Sequence, residues 1–235
     1  MTEHDSSADS IRLNKYIAGA LAVGRRQVDY LIEKGKVLVN GVKPELGARV
    51  RPGDHITVNG KPLSEQAKPY VYLALNKPVG YICSRRQQGE TPTIYSLLPQ
   101  AYNHLKPVGR LDKDSSGLLL LTNDGDFAHH MTHPRFIKIK QYEITLSKPL
   151  QPLHRQMISE IGVTLPDGLS KLGLERIGEG QENKWLVTMH EGRNRQIRRT
   201  FASLGYGVTT LHRTQFGPYQ LGNLREGQVE VVPKV

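Results

Sequence analysis

Apolar residues recur at two spacings along this chain. Between Ile11 and about Leu21, Leu13, Ile17 and Ala20/Leu21 fall at helical intervals, and Val28, Leu31 and Ile32 share one face of a second helix from about Arg25 to Lys34. Gly24 stands where that helix is capped and Gly35 where it stops. From Val37 the period changes to two. Val37 and Val39 lead into Asn40-Gly41, a hairpin turn, and Ile56 and Val58 lead into Asn59-Gly60. Residues 61–69, KPLSEQAKP, hold two prolines and no apolar period, and read as a linker. Beyond it, Val71, Leu73 and Leu75 alternate with Tyr72 and Ala74 in a strand that Lys77-Pro78-Val79-Gly80 ends.

Leu118 to Leu121 is an unbroken apolar run, which predicts a strand buried on both faces. Phe127 to Met131 fits a short helix. Tyr142, Ile144 and Leu146 form one face of a strand, and Leu153, Met157 and Ile161 one face of a helix. Trp185, Val187 and Met189 alternate into Glu191-Gly192, and Ile197, Phe201 and Leu204 give an amphipathic helix that stops at Gly205. The resulting division is a disordered tail at 1–10, a small domain at 11–60, the linker at 61–69 and a larger domain at 70–235.

Charge adds a partner class. The chain has 235 residues and a net charge of +10, with 37% hydrophobic and 23% charged residues. Residues 1–68 carry 11 Lys+Arg against 8 Asp+Glu, and the rest carry 21 against 14, so both parts are positive. Such an excess attracts polyanions, nucleic acid first. The lone Cys83 leaves no intramolecular disulfide and no cysteine metal cluster, which fits a reducing cytoplasm. The polar start MTEHDSSADS lacks the basic and apolar regions of a signal peptide, and no apolar run has membrane-spanning length.

Two segments carry candidate chemistry. In Gly109-Arg110-Leu111-Asp112-Lys113-Asp114-Ser115-Ser116-Gly117, an Asp lies between two cations in a glycine-bounded loop. The cations favour an ionised Asp112, as a nucleophile or base requires, and the glycines let the backbone approach a ligand. The same residues also make an ordinary tight turn. In EGRNRQIRRTFASLG, Arg193, Arg195, Arg198 and Arg199 crowd together with only Glu191 nearby. Such a cluster needs phosphate or carboxylate partners, although solvated arginines on an amphipathic helix are the plainer reading. His129-His130-x-x-His133 runs into Pro134, which ends the helix a metal site would need, so structural or RNA-contacting histidines are the reading there. Asp112 and Asp114 sit two apart in one short loop, a poor fit to the paired carboxylates of a glycosidase. No phosphate-binding glycine loop is present.

The string GRLDKDSSGLLLLTNDG resembles the signature of the bacterial ribosomal-RNA pseudouridine synthases of the RsuA type, and LNKPVG and EGRNRQIRRTFASLG match two further family segments. RLNKYIAGALAVGRRQVDYLIEKGKVLVNG resembles the small alpha-L RNA-binding motif, with Gly24 where that motif has Ser or Thr. The resemblance implies an α+β chain: an alpha-L domain, then a catalytic domain with a mixed, largely antiparallel sheet, surrounding helices and a basic cleft. It makes Asp112 the catalytic residue, paired with Arg198, and makes Tyr142 of Lys140-Gln141-Tyr142 the ring that stacks on uracil and relays the C5 proton. RNA contacts fall to Arg110 and Lys113 beside the loop, to Arg193, Arg195 and Arg199, and to Lys77 and His212/Arg213 in the cleft wall, with Leu211 under the base. Arg12, Lys15, Arg25, Arg26 and Lys36 are the expected phosphate contacts of the small domain.

The expected reaction is uridine isomerisation in ribosomal RNA, in the large subunit by the form of EGRNRQIRR, on naked RNA or an assembly intermediate. No cofactor, metal or membrane is implied, and a monomer is expected. A small-subunit target, a non-catalytic ribosome-assembly protein and a nucleoside-processing glycosidase are the alternatives.

Overall fold

The computed structural model describes residues 10–21, 23–63, 69–178 and 180–235, and the chain divides into two compact units, 1–70 and 71–235. The expected tail lies outside the described residues apart from Ser10, and so does the stretch 64–68 of the expected linker.

The first unit runs β1 (Ile11–Arg12), α1 (Leu13–Leu21), α2 (Arg25–Glu33), β2 (Val37–Val39), β3 (Arg49–Val50), β4 (Ile56–Val58) and β5 (Lys61–Pro62). Its first helix begins two residues later than the apolar spacing predicts, because Ile11 and Arg12 pair with Val50 and Arg49. Leu13, Ile17, Val28 and Ile32 of the helices pack on Val37, Val50, Ile56 and Val58. Gly24 enters α2 in an extended conformation with no side-chain cap. Lys61 and Pro62, which read as linker in the sequence, instead pair with Val58 and Thr57 through the Asn59-Gly60 turn, whose residues take φ of 51° and 74°.

The second unit adds β6 (Tyr72–Lys77), β7 (Lys106–Pro107), β8 (Ser116–Thr122), α3 (Gly125–Thr132), β9 (Lys140–Leu146), α4 (Pro152–Gln156), β10 (Val163–Leu165), β11 (Gly168–Ser170), β12 (Gly173–Arg176), β13 (Lys184–Met189), α5 (Gln196–Ala202), β14 (Val208–Phe216), β15 (Tyr219–Gln220) and β16 (Val229–Val231). Its main sheet has the order β12-β13-β9-β14-β8-β6-β16, with β15 on β14 and β7 on β8. β8 and β14 run parallel, and the other pairings of this sheet are antiparallel. Successive residues of a strand point to opposite faces. Thus Leu119 and Leu121 enter one core with Leu73, Leu75, Tyr142 and Ile144, while Leu118 and Leu120 enter the other with Tyr72, Phe127 and Phe216.

The helix expected from Leu153, Met157 and Ile161 takes a different face. α4 continues as a π turn over Met157–Ile161, which buries Ile158 and leaves Leu153 and Ile161 64% and 66% exposed. A wider turn rotates the side chains away from the 3.6-residue register.

Candidate active site

The loop from Gly109 to Gly117 is held from below. Gly109 and Gly117 take φ of 71° and 101°, and a Cβ on Gly117 would lie 2.3 Å from the Arg213 carbonyl oxygen. Glycine is what lets β8 pair with β14 and β6 at this point. Beneath the loop, Lys77 is fully buried and its ammonium donates to the carbonyls of Pro78, Asp112 and Ser115 at 2.9, 3.1 and 2.7 Å. Burial pushes this ammonium's pKa down, and the three carbonyls use all three of its protons. The expectation that Lys77 contacts RNA is therefore corrected: it is a staple behind the loop. Cys83 adds a contact from its thiol to the Leu111 carbonyl at 3.3 Å.

The start of α5 faces the loop. Arg195 takes a left-handed φ of 48°, a strained backbone for a residue with a side chain, costing about 1 kcal/mol or more. Its guanidinium reaches both acids, Asp114 through two bonds of 3.0 Å and Asp112 Oδ2 at 3.3 Å. The Arg195 bond holds the Asp114 carboxyl below the usual carboxylate range. The resemblance pairs Asp112 with Arg198. That arginine instead donates to the Val208 and Asp114 carbonyls at 2.6 and 2.7 Å and pairs with the Asp114 carboxylate at 3.3 Å. The correction has a simple cause. The Arg198 guanidinium is held between the loop carbonyl of Asp114 and the Val208 carbonyl at the start of β14, while Arg195, the residue before the helix, has the reach to Asp112.

The remaining arginines find their partners on the β10–β11 turn. Arg193 bonds to Asp167, to the carbonyls of Gly168 and Leu169 and to Glu191, and Arg199 bonds to Asp167 at 2.7 Å. Sequence reasoning does not single out Asp167. Its Pro166-Asp167-Gly168 context marks a turn, but its partners lie 26 and 32 residues further on.

These elements enclose a cleft of about 410 Å³. Asp112, Tyr142, Arg198, Arg110, Arg193, Arg195, Leu211 and Arg213 all line it. Tyr142 and Arg213 are opposite residues of β9 and β14, as are Ile144 and Leu211. Three expected contacts lie elsewhere: Lys77 in the interior, Lys113 on the Thr91 hydroxyl and Arg199 on Asp167. Sequence reasoning missed Lys140 and Phe216 as lining residues, and His133, one of the histidines read as structural or RNA-contacting, lines the cleft too. His133 stacks at 4.7 Å on His129, and no group of three His, Cys, Asp or Glu among the described residues is placed to hold a metal ion. In the first unit Arg12, Arg25, Arg26 and Lys36 are exposed and Lys15 is half-buried.

The Asp112–Arg195 contact can be tested through turnover. Replacement Arg195→Gln removes the only side-chain ion pair to Asp112 among the described residues, and turnover is expected to fall by about one to two orders of magnitude with little change in melting temperature. Single-turnover rates at saturating RNA, alongside thermal melts, measure both, and an unchanged rate would show that the contact has no catalytic part.

Residues 71–203 match the family described as RNA pseudouridylate synthase, and residues 11–56 match the S4 domain. The chain is 38% identical to ribosomal large subunit pseudouridine synthase B of Bacillus subtilis, over 94% of this chain and 92% of that protein. It is 36% identical to the dual-specificity RNA pseudouridine synthase RluF of Escherichia coli K12, over 93% of this chain and 74% of that protein. A crystal structure of a pseudouridylate synthase superposes with a TM-score of 0.67 at 31% identity, covering 95% of this chain and 96% of its own. No helix among the described residues is long and apolar enough to cross a membrane.

Proposed function

The chain belongs to the RNA pseudouridylate synthase family, and from that premise we propose that it isomerises one uridine, or a small cluster, of large-subunit ribosomal RNA. The observation that carries the reading is the meeting of Asp112, Arg195 and Tyr142 in one basic cleft, contributed by a loop, a helix start and a strand. The relatives' names support ribosomal RNA as the substrate, and the form of EGRNRQIRR supports the large subunit.

The chemistry needs one N1–C1′ bond broken, the uracil turned, and one C5–C1′ bond made. The proton lost from C5 balances the one gained at N1, so atoms and electrons close within the nucleotide. Asp112 acts beside the ribose, as nucleophile or base, and Arg195 aims it. Tyr142 is 8% exposed, so only its cleft-facing part meets the base, where it stacks on the uracil. A target inside folded RNA must be extruded to reach this depth.

Carbodiimide-dependent primer extension tests the reading. Purified protein is incubated with unmodified large- and small-subunit RNA and with partly assembled subunits. A new stop on large-subunit RNA is the expected result. A stop on small-subunit RNA alone would move the target, and no stop despite tight binding would favour a binding role without chemistry.

The first unit has its own expected result. Arg25 and Arg26 open α2 exposed to solvent. Arg25→Glu with Arg26→Glu should raise the Kd for RNA and lower the slope of log Kd on log salt, by about 0.7–0.9 for each phosphate left unneutralised. An unchanged Kd would remove this unit from RNA docking.

A further inference from the structure

Among the described residues, Arg213 is a buried cation without a counter-ion. It is 3% exposed, its Nε donates to the Leu118 carbonyl at 2.7 Å, and its guanidinium lies 4.8 Å from the Phe216 ring centre. Its Nη2 is buried with no hydrogen-bond partner, and none of the ion pairs among the described residues includes it. Lys140 stands over the same ring, its Nζ 5.5 Å from the centre, and its hydrogen bond is to the Glu191 carbonyl at 3.3 Å. The Glu191 carboxylate accepts from Arg193 and Gln196 through Oε1 and only partly offsets the charge on Lys140. Burial first, then Arg213, pushes the Lys140 pKa down. Buried charges are ordinarily paired, because an unpaired one loses its hydration without return. Here two cations share one aromatic ring, and both border the cleft.

We propose that Lys140 and Arg213 form a phosphate-binding subsite of the cleft. It takes the backbone phosphate beside the uridine presented to Asp112, and this last clause rests on the function proposed above. The sheet supplies the geometry. Arg213 is directly opposite Tyr142, and Lys140 precedes Tyr142 by two residues, about 7 Å along β9. A base on Tyr142 therefore places its own backbone within reach of both cations. A bound phosphate gives Arg213 the counter-ion it lacks and relieves its repulsion of Lys140. It also anchors the extruded nucleotide without reading its sequence.

The test uses the intact protein and inorganic phosphate. The Arg213 Nε–H, held by Leu118, gives a side-chain resonance identified by its absence in Arg213→Lys. Phosphate, but not chloride at equal ionic strength, should shift it saturably in the wild type, and Lys140→Met should weaken that response at least tenfold. Lys140→Met should also lower the salt slope of RNA binding by about 0.7–0.9. Thermal melts confirm folding of both variants, and Arg213→Lys provides a charge-conserving check if other Arg213 changes unfold the sheet. No phosphate response in a protein that still forms pseudouridine would overturn the subsite and leave the enzymatic reading standing. A phosphate response in a protein that modifies no ribosomal RNA would keep the anion site and overturn its assignment to a uridine's flank.

Discussion

Asp112→Asn should abolish turnover, by at least about a thousandfold, while RNA affinity and melting temperature stay near wild type. The structure separates the two effects. The Asp112 side chain is 36% exposed, and exposed ion pairs of this kind are worth about 0–1 kcal/mol, so little stability rests on it. Asp114 keeps Arg195 in place through two bonds when Asp112 is neutralised. An asparagine keeps the shape of the side chain and loses its charge and basicity. Single-turnover assays with a filter-binding Kd on the same preparation give the comparison. A rate within tenfold of wild type would remove Asp112 from the chemistry, and a large change in Kd would mean that the carboxylate shapes the cleft rather than acting in it.

Lys77→Met is expected to do what Asp112→Asn does not: lower stability and turnover together. The thioether fills the volume of the chain, but the Pro78 and Ser115 carbonyls lose the ammonium inside the protein, and the Asp112 carbonyl keeps only the Ser115 amide. Each buried acceptor left without its donor costs about 1–3 kcal/mol, relief from burying a charge offsets part of that, and for a unit of this size each kcal/mol shifts Tm by about 2–4 °C. A drop of about 10 °C is the expected centre of that range. Because one of the three carbonyls belongs to Asp112, the loop that carries it should relax as well, so kcat is expected to fall in the fraction that remains folded. Calorimetry and rates measured well below the new midpoint check the two halves. A stable, active Lys77→Met protein would show that the loop is held by its glycines and by Ser115, whose amide bonds to the Asp112 carbonyl.

The α+β architecture was legible because its strands carry clean signals. β8 has four consecutive leucines and is buried on both faces, and β13 and β9 from Tyr142 onward alternate buried with more exposed positions. Membership of the family was legible from the strings around Asp112 and Arg198. What the sequence hid is the wiring between them. A lysine at the end of a buried strand reads as a basic contact, since no local pattern says that three carbonyls from another segment converge on it. Which of two arginines three residues apart meets Asp112 depends on a left-handed turn at Arg195, which no glycine announces. The α4 face was misread for a comparable reason, because a π turn leaves no mark in apolar spacing.

The parallel pairing of β8 with β14 also orders events in time. Asp112 and Arg195 are 83 residues apart, so at about 5–20 residues per second a ribosome adds the arginine roughly 4–17 s after the aspartate. During that interval β8 lacks its parallel neighbour, and Asp112 lacks the arginine that contacts it. Long-range pairings of this kind close late in folding. The first unit draws only on residues before 71 and has its own core by then. A growing chain thus finishes its small basic module well before the cleft around Asp112 is complete, and the cleft takes shape only once the C-terminal strands have been made and have slotted in beside β8.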